Sequence, residues 1–292
     1  MILRPTTIRS TQLRHDRGLG KIALYVGLTL IVVLLGFPVY WMFASAVQEE
    51  QAIFSFPPTL IPFRTFTLQP LYRVFFLEQR PMARWLWNST MVSLFSSTAS
   101  VLLGLWGGYA LARFRFRGRG MAGFLILLTQ MLPGSLIIIP LYVILTDLKL
   151  SNSLWGLTFT YMSFNTPFSI WMLKSFVDGI PRDLEEAGLI DGCGRLGALA
   201  RITLPLMLPG IVATFIFGFI AAWGEYVFAL TLLDTASQWT YSVGVASLKG
   251  EYMVHWNEIM SASFVSTLPV LLLFLFMQRY LLAGLTAGGI KG

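Results

Sequence analysis

Cysteine is nearly absent: one residue, Cys193, occurs in 292, so no disulfide can form within the chain. Histidine is almost as rare, with only His15 and His255. No HExxH pattern occurs, and two histidines are too few for a membrane metalloprotease. The chain has no GxxxxGK(S/T), which excludes nucleotide binding through a P-loop. A GxSxG nucleophile elbow is missing as well. Charge is scarce: Asp, Glu, Lys and Arg make up 12% of the chain, where a soluble domain carries about one quarter. Tandem repeats and low-complexity tracts are absent. No inverted symmetry relates the halves, which argues against a secondary transporter.

What fills the chain is apolar. Hydrophobic residues make up 55% of it, and the mean hydropathy is +0.69. A hydrocarbon core of about 30 Å needs about 20 apolar residues per helix. Such runs predict an all-α membrane protein with six transmembrane helices, over 22–47, 87–112, 121–146, 155–177, 209–233 and 264–284. The membrane-spanning body is then 22–284, with an N-terminal segment 1–21 and a C-terminal tail 285–292. Arg4, Arg9, Arg14, Arg17 and Lys21 precede the first run as in a signal peptide. The run continues well past the length of such a segment, which predicts an uncleaved span.

The net charge of +7 does not point to nucleic acid, because the basic residues cluster at span ends. Fifteen lie in the N-terminus, the 113–120 turn, the 174–208 region and the C-terminal end with Arg279 and Lys291; six lie in the alternate loops. The positive-inside rule therefore places both termini and the 174–208 region in the cytoplasm, where Cys193 stays reduced. The first external loop, 48–86, is rich in proline and phenylalanine, which suggests packed or interfacial segments. The third, 234–263, carries Trp239, Tyr241, Tyr252 and Trp256, suited to a membrane–water boundary.

One hydrophilic island, 178–208, interrupts the late apolar runs. Pro181 suits a helix start, and Asp183, Glu185 and Glu186 suit the positive end of the helix dipole. Leu184, Ala187, Gly188 and Asp191 share one face, kept flat by Ala187 and Gly188 so that another backbone can approach. Gly192 and Gly194 end this helix, and a second, about 196–203, runs into Pro205. The pair forms a helix–turn–helix at the membrane surface. An ordinary amphipathic connector would read the same way.

The residues Glu186-Ala187-Gly188, then Gly192 after three residues, then Ile202-Thr203-Leu204-Pro205 after nine, resemble the EAA loop of binding-protein-dependent ABC importer permeases. Every spacing matches, with Gly188 where that family often has Ala. The resemblance extends along nearly the whole chain to the carbohydrate, maltose-type second permease. It is carried by Asn88-Ser89, by Tyr109-Ala110-Leu111-Ala112-Arg113-Phe114, by Ile139-Pro140-Leu141-Tyr142 and by the tail from Gln278 to Gly292. It implies a bacterial-type inner-membrane subunit working by alternating access. Glu185, Glu186, Ala187, Gly188, Asp191, Gly192, Ile202, Leu204 and Pro205 would form the loop that docks on a cytoplasmic ABC ATPase dimer. Glu186 would pair with a basic group there, and Gly288, Gly289 and Lys291 of the tail would reach the ATPase. A second permease and an external solute-binding protein would complete the importer. This chain would bind no cofactor and catalyse no covalent step; ATP and Mg would sit on the ATPase.

Glu225 is an ionisable residue inside an expected span, the fifth. Such a residue is costly in lipid and marks a functional candidate. With Trp223 and Tyr226 as stacking surfaces, and Asn165 beside Pro167 in the fourth span, it outlines a substrate cavity. A headgroup-level carboxylate and a packed kink at Pro167 are the plainer readings. The serine face Ser93, Ser96, Ser97, Ser100 and Gly104 reads as helix–helix packing. A sugar or oligosaccharide is the expected cargo. The alternatives are a non-sugar solute such as a glycerol phosphate, an ion-coupled secondary transporter, or a membrane enzyme using Glu225.

Overall fold

The computed structural model describes residues 12–57, 59–63, 65–76, 81–250 and 254–288. Among them it is helical, with only isolated β-bridges at Gln48–Phe66 and Lys249–Val254. The chain divides into two compact units, one of residues 1–71 with 256–264, the other of 72–255 with 265–292.

The first unit begins with α1 (Gln12–Ala46), followed by α2 (Glu50–Ile53). From Gly20 to Ala46 the mean hydropathy of α1 is 2.5, and its apolar side chains are exposed almost throughout. A helix apolar on every side needs lipid or another chain around it. Its end is held by polar contacts: Ser261 Oγ donates to Ala46 O (2.8 Å), and Gln48 Nε2 donates to Thr59 O (3.2 Å). Phe43 and Phe264 pack with ring centres 5.1 Å apart. In the described part of the 48–86 loop, Phe54, Phe56, Phe63, Phe66 and Phe76 are exposed, so its aromatics are not packed within the chain.

After α3 (Gln69–Phe76) come the long helices of the second unit: α4 (Met82–Arg113), α5 (Arg119–Gln130), α6 (Gly134–Asp147) and α7 (Leu154–Asp178). The island contains α8 (Arg182–Ile190) and α9 (Arg195–Ala198), then a π-helical turn, Leu199–Thr203. α10 (Leu204–Gly224), α11 (Val227–Leu232), α12 (Tyr241–Ser247) and α13 (Trp256–Gly288) complete the order.

α4 is the spine on which α7 and α10 pack. Its buried face is Ser93, Ser96, Ser97, Ser100, Gly104 and Gly108. A Cβ on Gly104 would stand 2.6 Å from Ser169 Cβ, and one on Gly108 would stand 2.8 Å from Lys174 N. Only glycine lets the two backbones come this close. Ser100 Oγ donates to Ser96 O (2.7 Å) and also lies 3.2 Å from Met162 O on α7. The expected packing role of this stripe is what the structure shows. Apolar clusters flank it, one around Leu157, Tyr161, Leu232 and Val243, the other around Leu105, Leu173, Leu199 and Met207.

Among the described residues, four helices are long and apolar enough to cross a membrane: Gly20–Ala46, Met82–Arg113, Arg195–Gly224 and Trp256–Tyr280. Two expected spans are corrected in form. The third, 121–146, is not one rod: α5 and α6 meet at a 98° bend. Pro133 lacks the N–H that would continue the helix, and it disfavours helical backbone at Leu132. The fifth, 209–233, starts earlier, at Leu204, and stops at Gly224; a break at Glu225 and Tyr226 leads into α11.

Conserving order outside the helices falls to side-chain amides. Asn88 Nδ2 donates to Ser237 O (3.1 Å) and Trp239 O (2.9 Å), and Ser89 Oγ accepts from Tyr241 N (2.7 Å). Asn152 Oδ1 accepts from Asp234 N (3.0 Å) and Thr235 N (3.1 Å). Tyr241 is therefore not a boundary aromatic: it is buried, and burial pushes its phenol well above the usual tyrosine range.

Candidate functional site

The island folds as its local signals require. Pro181 precedes the first residue of α8, and Asp183 and Glu185 lie in the first turn, where negative charge offsets the unpaired N–H groups. At the other end Gly192 takes φ +87°, and Cys193 N donates to Gly188 O (2.9 Å). A left-handed residue is the usual way to satisfy the last helical carbonyls, and glycine adopts it without strain. The following π turn is wide, as π segments at functional sites often are. It sets Ile202 and Thr203 both toward α8.

Glu185 is the centre of this arrangement. Its Oε1 accepts from Arg113 Nε (2.8 Å) and from Thr203 Oγ1 (2.8 Å), and its Oε2 from Tyr109 OH (3.2 Å). Arg113 also donates to Ile180 O (2.9 Å). Its side chain is 7% exposed and that of Glu185 11%. Breaking a buried pair by removing one partner costs about 3–5 kcal/mol, because the other charge is stranded. A second clasp joins the same elements: Arg182 donates to Ala112 O (2.9 Å), one of the free carbonyls ending α4.

These contacts correct the expected role of several loop residues. Glu185, grouped above with the docking residues, faces inward and ties α8 to α4 and to the turn before α10. Gly188 is buried too: a Cβ there would collide with the side chain of Ile202. Of the small face, Gly188 is used inside this chain, whereas Leu184, Ala187 and Asp191 stay exposed. Thr203, between the motif residues Ile202 and Leu204, is fully buried. Glu186, Ala187, Asp191, Gly192 and Pro205 remain exposed.

α8 leaves several apolar side chains exposed. Ile190 is 86% exposed, Leu184 45% and Leu189 42%, and Leu196 nearby is 69% exposed. Beside it lies a hollow of about 380 Å³ whose lining includes Arg113, Arg115, Arg182, Arg195, Glu185 and Glu186. Arg195 sits over the Phe114 ring, 5.7 Å from its centre.

The expected substrate residues are not gathered into one cavity. Glu225 does not lie within a helix but at the break after α10, where its backbone is extended. Its carboxylate accepts from Tyr161 OH (2.6 Å), Phe228 N (2.9 Å) and Ala229 N (3.2 Å), so it caps α11. Trp223 is buried, stacked on Phe219 at 5.7 Å, and donates to Ser266 O (3.2 Å). Asn165 Nδ2 donates to Gly218 O (3.2 Å), about two turns before the break. Only Tyr226 is exposed. The carboxylate is spent on backbone N–H groups that a broken helix leaves open. Of the tail residues, Gly288 is the last of α13, while Gly289 and Lys291 lie outside the described residues.

Arg113, Tyr109 and Thr203 escaped the sequence reading as partners of Glu185. Arg113 counts there as a charge that orients a span, and it stands 72 residues from Glu185. Tyr161, the partner of Glu225, carried no signal at all.

Residues 100–286 match the family model described as "Binding-protein-dependent transport system inner membrane component". The chain is 36% identical over 278 residues to the inner membrane ABC transporter permease protein YcjP of Escherichia coli (strain K12), covering 95% of this chain and 99% of the relative. It is 37% identical over 275 residues to DasC of Streptomyces coelicolor, the permease protein of a diacetylchitobiose uptake system, covering 90% of this chain and 95% of that one. Among solved structures, a chain of a bacterial ABC transporter that imports the acidic polysaccharide alginate superposes with a TM-score of 0.76 at 21% identity. That match covers 95% of this chain and 99% of the other.

Proposed function

The chain belongs to the family of binding-protein-dependent transport system inner membrane components, and from that premise we propose that it carries a sugar or oligosaccharide, driven by a separate cytoplasmic ATPase. The carbohydrate class rests on the relative named for diacetylchitobiose uptake and on the shared carbohydrate-type motifs. The observation that carries the coupling is the tie of α8, with its exposed Leu184, Leu189 and Ile190, through Glu185 to the end of α4 and the start of α10. A push on α8 cannot be absorbed by a floppy loop; it is delivered to two long helices. Alternating access by rocking of packed helices needs such a link.

The proposed topology has six spans. To the four long apolar helices it adds the bent α5–α6 pair and α7. α7 has 25 residues, about 37 Å at 1.5 Å per residue, enough to cross. Its many hydroxyls make it look polar on a hydropathy scale. Thr158, Thr160, Ser163, Thr166 and Ser169 instead donate to carbonyls four residues back, so their polarity is satisfied within the helix. The distribution of Lys and Arg supports cytoplasmic termini and a cytoplasmic α8. The partners are an ABC ATPase dimer bearing ATP and Mg, a second permease and an external solute-binding protein, with the C-terminal tail reaching toward the ATPase.

The test is uptake in vesicles holding the chain with its associated subunits. Oligosaccharides and glycerol phosphates are offered in turn, with and without ATP. ATP-dependent accumulation of an oligosaccharide supports the reading. Uptake of a glycerol phosphate alone, or uptake that ignores ATP, overturns it.

A further inference from the structure

We propose that the groove between α4, α5 and α7 is a binding site for an anionic phospholipid. The groove holds about 420 Å³. Leu111, Phe124 and Leu127 form its apolar wall, and Gly123 keeps the floor open; a Cβ there would come only to ordinary contact, 3.6 Å, with Trp171 Cζ2. Arg119 and Lys174 complete the lining. An apolar channel with two cations suits an acyl chain with a phosphate at one end, and basic pockets between membrane helices take lipid headgroups. The proposal rests on the reading of these helices as membrane-embedded.

The state of the polar groups supports this occupant. Arg119 is the first residue of α5, with Gly118 left-handed before it, so the free N–H groups of that helix start beside the guanidinium. Lys174 Nζ pairs with Asp178 on the next turn of α7 and lies 5.4 Å from the centre of the Trp171 ring. The carboxyl end of that pair is 42% exposed, so the pair is weak and the ammonium can turn to a phosphate at little cost. Trp171, which also lines the groove, has a buried indole N–H with no acceptor among the described residues. Unsatisfied buried donors are rare, and one beside a lipid-sized groove asks for an acceptor from outside the chain. Arg115 and Arg117 stand in the same short turn and add attraction for a negative headgroup.

The experiment is native mass spectrometry of the full chain with its associated subunits. The protein is drawn from nanodiscs of equal phosphatidylglycerol and phosphatidylcholine. The wild type is expected to retain phosphatidylglycerol in excess. Arg119→Gln and Lys174→Gln should each lower that excess about fivefold, the equivalent of ~1 kcal/mol per basic residue near a lipid surface. Gly123→Leu, which fills the groove and leaves both charges, should remove bound lipid of either kind. Equal retention of the two lipids by the wild type overturns the site. So does retention unchanged in all three variants, as would result if a second permease covered the groove. Thermal melts of each variant identify any loss caused by misfolding, and Gly123→Leu and Arg119→Gln would both have to misfold to obscure the result. Sugar uptake is a separate readout, so failure of the transport reading leaves this result interpretable.

Discussion

Adjacent glutamates in the island have opposite fates. Glu185 is buried against Arg113, Tyr109 and Thr203, while Glu186 faces solvent beside the hollow. Their exchange for other residues therefore has different consequences. Arg113→Ala and Glu185→Ala are each expected to lower stability by about 3–5 kcal/mol. The double variant should cost about 0.5–3 kcal/mol less than the sum, the coupling expected of a contacting pair. A double-mutant cycle by thermal or denaturant melting in detergent checks this, and additive losses would show that the pair is not coupled. Glu186→Lys should leave folding and insertion intact and reduce recovery of the ATPase in pull-downs; full recovery would remove Glu186 from the docking surface. Glu225→Gln is a third case. Glutamine keeps an acceptor but loses the charge that favours the N–H groups of α11, and charge-assisted bonds are roughly twice as strong as neutral ones. The expected result is a lower melting temperature with substrate affinity unchanged; a changed affinity at unchanged stability would return Glu225 to the transport path.

Elements are positioned by close approach. The contact of α4 with α7 depends on Gly104 and Gly108, where a side chain has no room. Gly108→Leu would have to push aside the α7 backbone near Ile170 and Lys174, and overpacking of this kind typically costs at least 1–3 kcal/mol. Less folded protein in the membrane, measured by fluorescence size-exclusion, is the expected outcome; normal yield and melting temperature would show that the helices can separate. Gly108 looks unremarkable in sequence, whereas Gly104 belongs to the stripe read as packing. The serine stripe beside them was readable as packing because small residues at helical spacing have few other uses in lipid. The bend between α5 and α6 was not readable, because proline within a span kinks or breaks it depending on the neighbours that accept the freed backbone groups.

The whole molecule exposes most of α1 and long faces of α5, α6 and α13 as bare apolar surface. Lipid or neighbouring chains must cover these. The transport prediction belongs at this scale: uptake should disappear when the P-loop lysine of the partner ATPase is substituted, although this chain is unchanged. Persistence of uptake would make ATP irrelevant to it. The Glu185 clasp explains why an event at α8 would be felt by the long helices, and the exposed Leu184, Leu189 and Ile190 explain why α8 would meet a partner.

The sequence by itself determined the class of the molecule, its apolar helices, the place of the island and the family motif. Those properties depend on hydrophobic length and on local spacing, which one stretch of chain expresses alone. Tertiary structure alone decided which glutamate faces inward, that Gly188 packs against Ile202, that Glu225 caps a broken helix, and that a groove opens beside Trp171. Each of these depends on a partner distant along the chain. Arg113 and Glu185 are 72 residues apart, and Tyr161 and Glu225 are 64 apart. No local pattern encodes such a meeting; the packing of α4, α7 and α10 creates it.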